Sequence, residues 1–395
     1  MAATDQLAID GGAPVRAVPL PYGRHWIDDD DIAAVAEVLR SDFLTTGPEV
    51  GRFESAFAST VRAAEAVAVS SGTAALHAAV EALGIGPGDE VLVPTMTFAA
   101  SANCVLYQGA TPVMCDVDPS TLLLTPSDVE RRIGPRTRAI IGVDFAGQPC
   151  DWDGLRSVAA AHRVALVADA CHALGAADRG RPVGTLADLT AFSLHPVKHI
   201  TSGEGGVITT GNRELAARMR VFRHHGITRQ EDTHPWNYEV RSLGQNYRLT
   251  DVQCALARHQ LAKLDGWIAR RRAIAARYDE LLVRVPGVSR LAVRDGVEHA
   301  YHLYVVRLPA PRWRAPRDQV LAALRAEGIL ATLHYPPVHL HPYYRAKLGT
   351  AAGDCPKAEA VVQEILSLPM FPLMTDADQD DVLTALHKVA SAYGR

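Results

Sequence analysis

The chain reads as an α/β protein, a mostly parallel central sheet followed by a smaller C-terminal α+β domain. Two observations predict this. From about residue 66, short apolar runs alternate with helical stretches, and after about residue 250 the texture changes to a long Ala-, Leu- and Arg-rich helical stretch. Alternation at this spacing builds crossover units on a parallel sheet covered on both faces.

In chain order, DDIAAVAEVLR (30–40) spaces apolar residues at helical intervals behind an acidic start, which suits a helix N-terminus. AVAVS (66–70) is a short apolar strand and TAALHAAVEAL (73–83) the helix after it. DEVLVP (89–94), helix-like ASANCVLYQG (100–109) and TPVMCDVD (111–118) continue the pattern. TPSDVERRI (125–133) carries Ser127 and Glu130 at capping-box spacing, and TRAIIGVDF (137–145) is again an apolar run. WDGLRSVAAAHR (152–163) reads as helix and VALVADA (164–170) as a strand buried on both faces. Residues 250–282 read as one long helix, a hinge to a unit holding YHLYVVRL (301–308) and RDQVLAALRAEG (317–328). The expected division is a large domain over 24–255 and a small one over 256–395, with segment 1–23 packing near the latter.

The length of 395 residues sits at roughly two domains and suffices for a large core. Hydrophobic content of 48% with 21% charged residues excludes a disordered chain. A net charge of −4 lends no support to nucleic-acid or anionic-membrane partners. No apolar run approaches the roughly 18 residues of a membrane span. Cys104, Cys115, Cys150, Cys171, Cys254 and Cys355 show no paired spacing, so buried thiols in a reducing compartment are expected. MAATDQLAIDGG lacks the basic start and apolar core of a signal peptide, and cytoplasm is the expected location.

Three features fall where an open parallel sheet puts its ligand, beyond the carboxyl ends of the strands. Ser70-Ser71-Gly72-Thr73 joins a strand to a helix, and a small-residue turn there exposes backbone N–H groups to a phosphate. The same turn also serves as an ordinary N-cap. Asp169 ends the strand VALVAD, where a carboxylate can face a site or cap the next segment. Lys198 lies in FSLHPVKH before the glycine-rich TSGEGG, and a partly desolvated lysine there can form a Schiff base, although most lysines are solvated. Each feature alone leaves both readings open. Together they supply what pyridoxal phosphate needs: donors for the phosphate, an anion for the ring nitrogen and an amine for the aldehyde.

With these segments the chain resembles the DegT-type sugar aminotransferases, a branch of the fold-type I (aspartate-aminotransferase-like) pyridoxal-phosphate enzymes. The likeness runs from PYGRHWIDDDD (21–31) and SDFLTTGP (41–48) through HPVKHITSGEGG and LGQNYRLTD (243–251) to LHYPPVHLHPYYR (333–345). HPVK, PTMTFAASANC and HYPPVHLHPYY are most similar to the branch that aminates C4 of a UDP-linked 4-keto-6-deoxy-N-acetylhexosamine in pseudaminic-acid synthesis. The resemblance implies pyridoxal 5′-phosphate as cofactor, with Lys198 as the Schiff-base and proton-shuttling lysine and Asp169 on the ring nitrogen. It implies His172 near the phenolic oxygen, Phe98 stacked on the ring, and Gly72, Thr73 and Ser193 on the phosphate. Asn246 would reach the neighbouring subunit's phosphate, implying a homodimer. Thr45, Thr46, His334, Tyr335 and Tyr343 would border the sugar-nucleotide pocket. Relatives that dehydrate sugars carry histidine at the lysine position, so Lys198 favours transamination with glutamate or glutamine as donor. A keto-cyclitol aminotransferase and a non-catalytic cofactor-binding relative are the alternatives.

His334, His339 and His341 with Asp354 fit no ordinary ligand spacing, so no metal is expected. Cys171-His172 is not expected to act as a thiol–imidazole pair, since neighbours on an extended segment point apart. Arg270-Arg271-Arg272 is expected on a solvated or interface face rather than a nucleic-acid patch. Residues 231–239, EDTHPWNYE, suggest a mobile substrate loop.

Overall fold

The first strand of the central sheet, β1 (Glu65–Val69), shows how the fold is specified: Ala66 and Ala68 face one apolar core, Val67 and Val69 another. Side chains alternate across a strand, so both faces of this sheet are covered. The structure is a computed structural model that describes residues 6–228, 234 and 236–395. The other strands are β2 (Glu90–Pro94), β3 (Thr111–Cys115), β4 (Thr137–Val143), β5 (Ala165–Asp169), β6 (Leu189–Ser193) and β7 (Gly206–Thr210). They lie in the order β1-β7-β6-β5-β4-β2-β3, and only β7 runs antiparallel to its neighbours.

The helices are α1 (Asp29–Leu39), α2 (Pro48–Thr60), α3 (Gly72–Ala82), α4 (Ala100–Tyr107), α5 (Pro126–Arg132), α6 (Trp152–His162) and α7 (Arg213–Phe222). Next come α8 (Asp251–Leu261) and α9 (Leu264–Leu282). Phe53 and Phe57 of α2, Trp152 of α6 and Cys254 of α8 pack on one face of the sheet. Leu76 of α3, Val105 of α4 and Met219 of α7 pack on the other. A second unit follows, with strands β8 (Ser289–Arg290), β9 (Tyr304–Arg307) and β10 (Ile365–Leu368) in the antiparallel order β8-β9-β10. Around them lie α10 (Arg317–Ala326), α11 (Pro342–Leu348), α12 (Pro356–Val362) and α13 (Asp376–Tyr393). Its core joins Tyr278 of α9, Val306, Leu324, Leu366 and Leu386 to Leu7 and Leu20 from the N-terminal segment.

Three local expectations are corrected. The stretch 250–282 is two helices, because the ladder stops at Ala262–Lys263, where Lys263 pairs with Asp28 and Asp31 at the start of α1. Helix α5 is capped by Thr125, which accepts from Asp128 N; Ser127 already lies inside the helix, behind Pro126 at its first position. Arg271 is not solvated: it is 1% exposed inside α9. Five of the six free cysteines are buried and Cys171 is half-buried. No helix among the described residues is long and apolar enough to cross a membrane.

Candidate active site

The carboxyl ends of β1, β2, β4, β5 and β6 meet at a cavity of about 440 Å³. At β1, Ser71 caps α3 by accepting from Ala74 N at 3.0 Å. That leaves Gly72 and Thr73, the first two helical residues, on the cavity wall. Backbone N–H groups at such a position lack helical partners and favour an anion. Gly72 is required by space: a Cβ there would lie 2.9 Å from Ser193 Cβ and 3.0 Å from Cys171 Sγ.

Asp169, the last residue of β5, is 6% exposed. Its Oδ2 accepts from Ser101 Oγ at 2.6 Å and its Oδ1 from Cys171 N at 3.2 Å. Ser101 Oγ lies 2.7 Å from Thr97 Oγ1, which continues the buried network. Lys198 is half-buried, and its Nζ stands 3.4 Å from His302 Nε2. Burial pulls the Lys198 amine below its ordinary pKa; Cys171 and Asp169 oppose this and Arg271 adds to it. Burial likewise holds the Cys171 thiol protonated, pushing its pKa well up.

His172 Nε2 lies 3.0 Å from the Tyr335 hydroxyl, and its ring centre is 4.4 Å from that of His302. Burial drives His172, His199 and His302 well below the ordinary histidine pKa, and His334 down to about 3. These imidazoles are neutral at pH 7. Phe98 is 60% exposed at the mouth, with its ring 5.9 Å from that of Tyr335.

The loop carrying His334 and Tyr335 is tied down from behind. Thr95 Oγ1 meets His339 Nδ1 at 2.6 Å, and His339 Nε2 meets Glu359 at 3.0 Å. His334 Nδ1 meets Ser367 Oγ at 2.9 Å. His334 and His339 are thus engaged in separate hydrogen bonds, and among the described residues no three His, Cys, Asp or Glu side chains gather as metal ligands would.

Of the residues singled out in the sequence, Gly72, Thr73, Phe98, Asp169, His172, Ser193, Lys198, His334 and Tyr335 line this one cavity. Asn246, Thr45, Thr46 and Tyr343 are exposed and do not line it. Thr46 borders a separate hollow of about 360 Å³ with Arg223, His224 and Arg248. Part of the expected substrate loop, residues 231–233 and 235, lies outside the described residues. Ser101 and His302 were missed. Ser101 sits 68 positions from its partner, with no local signal beyond a serine inside a helix. His302, between Tyr301 and Leu303 just before β9, reads as part of a strand.

The residues present fit pyridoxal phosphate. A helix N-terminus has no room for a Cβ at its first residue, a buried carboxylate holds two donors, a desolvated amine faces the same space, and His172 Nδ1 is buried without a protein partner. Sheet order and site together define a fold-type I, pyridoxal-phosphate-dependent aminotransferase. The chain belongs to the DegT/DnrJ/EryC1/StrS aminotransferase family, whose model matches residues 25–387. It is 41% identical over 376 residues to the spore coat polysaccharide biosynthesis protein SpsC of Bacillus subtilis, covering 94% of this chain and 97% of that one. The PMP-form of the putative sugar aminotransferase Spr1654 from Streptococcus pneumoniae superposes with a TM-score of 0.90 at 30% identity, covering 95% of this chain and 98% of that one. Helicobacter pylori PseC, an aminotransferase involved in the biosynthesis of pseudoaminic acid, gives 0.89 at 28% identity, covering 95% and 100%.

Proposed function

We propose that this enzyme moves an amino group from glutamate or glutamine to a nucleotide-linked keto-sugar, C4 of a UDP-4-keto-6-deoxy-N-acetylhexosamine being the favoured acceptor. The observation that carries the reading is the convergence of Asp169, Lys198 and the N-terminus of α3 on one cavity. The sugar acceptor is supported by the similarity to SpsC, Spr1654 and PseC, and the 4-keto-hexosamine by the PseC likeness together with the HPVK and HYPPVHLHPYY segments.

When bound, pyridoxal phosphate supplies an electron sink for the carbon that bears the amine. In this reading the N–H groups of Gly72 and Thr73 and the Ser193 hydroxyl hold its phosphate. The Asp169 carboxylate, fixed by Ser101, would keep a proton on the ring nitrogen. Phe98, at the cavity mouth, would stack on the ring face. His172, oriented by Tyr335, would lie near the phenolic oxygen. Lys198 Nζ would hold the cofactor aldehyde and move the proton at the substrate carbon; burial lowers its pKa, which favours the unprotonated amine this needs. Thr45, Thr46, His334, Tyr335 and Tyr343 would contact the sugar nucleotide. Asn246, exposed and outside the protomer's own cavity, fits a homodimer in which it reaches the partner's phosphate. A cytoplasmic setting follows from the nucleotide-sugar substrate.

The test is a yellow protein that bleaches on adding glutamate or glutamine, then transfers amine to one member of a panel of UDP- and dTDP-keto-sugars scored by mass spectrometry. Borohydride trapping should label Lys198. Label elsewhere overturns the site, and amine transfer to a keto-cyclitol but to no nucleotide sugar overturns the acceptor.

A further inference from the structure

Behind Lys198 lies a buried arginine with no carboxylate partner. Arg271 Nη1 is within 3.1 to 3.4 Å of the carbonyl oxygens of Tyr301, His302 and Met370. Its Nε finds no partner, and burial lowers even a guanidinium here, to about 10. A buried cation is costly unless it fixes something that matters. What Arg271 fixes is the backbone on either side of the Tyr301–His302 peptide, where Tyr301 takes a left-handed conformation at φ 47°. That bend delivers the His302 ring to the lysine.

We propose that His302 is a positioning residue for Lys198, its Nε2 accepting a hydrogen bond from the lysine amine, and that Arg271 acts through it by holding the 301–302 bend. Three observations support this. His302 is 3% exposed, and its side chain's hydrogen bond is the one to Lys198 Nζ, because Nδ1 is buried without a partner. A histidine kept only for packing would be expected to satisfy its polar atoms in the core. His302 also carries no charge that would repel the lysine: Arg271, His172 and His199 surround it, and burial keeps it neutral. The other groups facing the pair are Asp169, Cys171 and His334. The contact aims the free amine into the cavity and favours its protonated form, against the desolvation that favours the neutral one.

The inference rests on the reading of Lys198 as the cofactor-anchoring amine, but its test does not. In the full-length chain freed of cofactor, cyanate labelling of Lys198 is followed against pH by peptide mass mapping. Two substitutions separate the ring nitrogens: His302→Gln carries an amide that reaches the Nε2 position, whereas His302→Asn reaches only Nδ1. H302Q should keep the wild-type labelling midpoint. H302N should lower it by about one pH unit, giving about tenfold faster labelling below the midpoint. If H302N does not fold, H302L carries the same expectation. Equal midpoints in H302Q and the non-reaching variant overturn the proposal. Failure of added pyridoxal phosphate to protect Lys198 from cyanate would instead count against the anchoring role of the lysine.

Discussion

Replacing Gly72 by alanine tests the phosphate cradle through space alone. The new Cβ would stand 2.9 Å from Ser193 Cβ, 3.0 Å from Cys171 Sγ and 3.3 Å from Ser193 Oγ. Carbon atoms rest at about 3.5 to 4.0 Å, so at least about 0.6 Å of movement is demanded. Ser193 cannot supply it cheaply, because it ends β6 opposite Gly206 in β7, and Gly206 itself lies against Ser71. Helix α3 must give, yet nine of its eleven residues are buried. Overpacking of this kind costs about 1 to 3 kcal/mol. The same displacement withdraws the N–H groups of Gly72 and Thr73 from the cavity. Losing one hydrogen bond to a charged phosphate is worth about 1.5 to 3 kcal/mol, on the order of 10- to 100-fold in cofactor affinity. The assay is a cofactor titration by absorbance alongside thermal unfolding of the cofactor-free chain, with Gly211→Ala as control, since a Cβ there meets nothing within 4 Å. A G72A protein with unchanged cofactor affinity would refute both the steric argument and the place assigned to the phosphate.

Asp169→Asn should retain cofactor colour but lose on the order of 100-fold or more in turnover, since a neutral amide does not hold the ring-nitrogen proton; near-normal steady-state rates would remove Asp169 from that role. His77, between Tyr247 and Gln108, has its pKa pushed down by burial to about 4. The unfolded chain therefore takes up a proton below about pH 6.5 that the native chain refuses, and stability falls as pH falls. At pH 5 this one group accounts for about 2 kcal/mol. Denaturant unfolding of His77→Gln should show a loss between pH 7 and pH 5 smaller by that amount, and an unchanged pH slope would contradict the assignment.

Much of the scaffold was legible because it is written at short range. Short continuous apolar runs such as AVAVS and VALVADA, separated by helical stretches, specify strands buried on both faces. Asp169 and Lys198 stood out as candidates because the turn after each strand falls on the ligand side of an open sheet, and both line the cavity. Capping details were less secure: Thr125 rather than Ser127 starts α5, since Pro126 suits the first helical position. The break between α8 and α9 was hidden because the carboxylates that meet Lys263 at the break, Asp28 and Asp31, lie more than 200 residues away.

The sequence alone determined the layered α/β scaffold, the family and the cofactor chemistry, since those depend on local periodicity and on motif residues that need only sit at strand ends. Tertiary structure decided which groups tune that chemistry. Ser101 on Asp169, Tyr335 on His172, Glu359 behind His339 and the Arg271–His302 support under Lys198 are hydrogen bonds between segments far apart in the chain or contacts set by burial. Their strength comes from the exclusion of water, which exists only once the chain has folded around them.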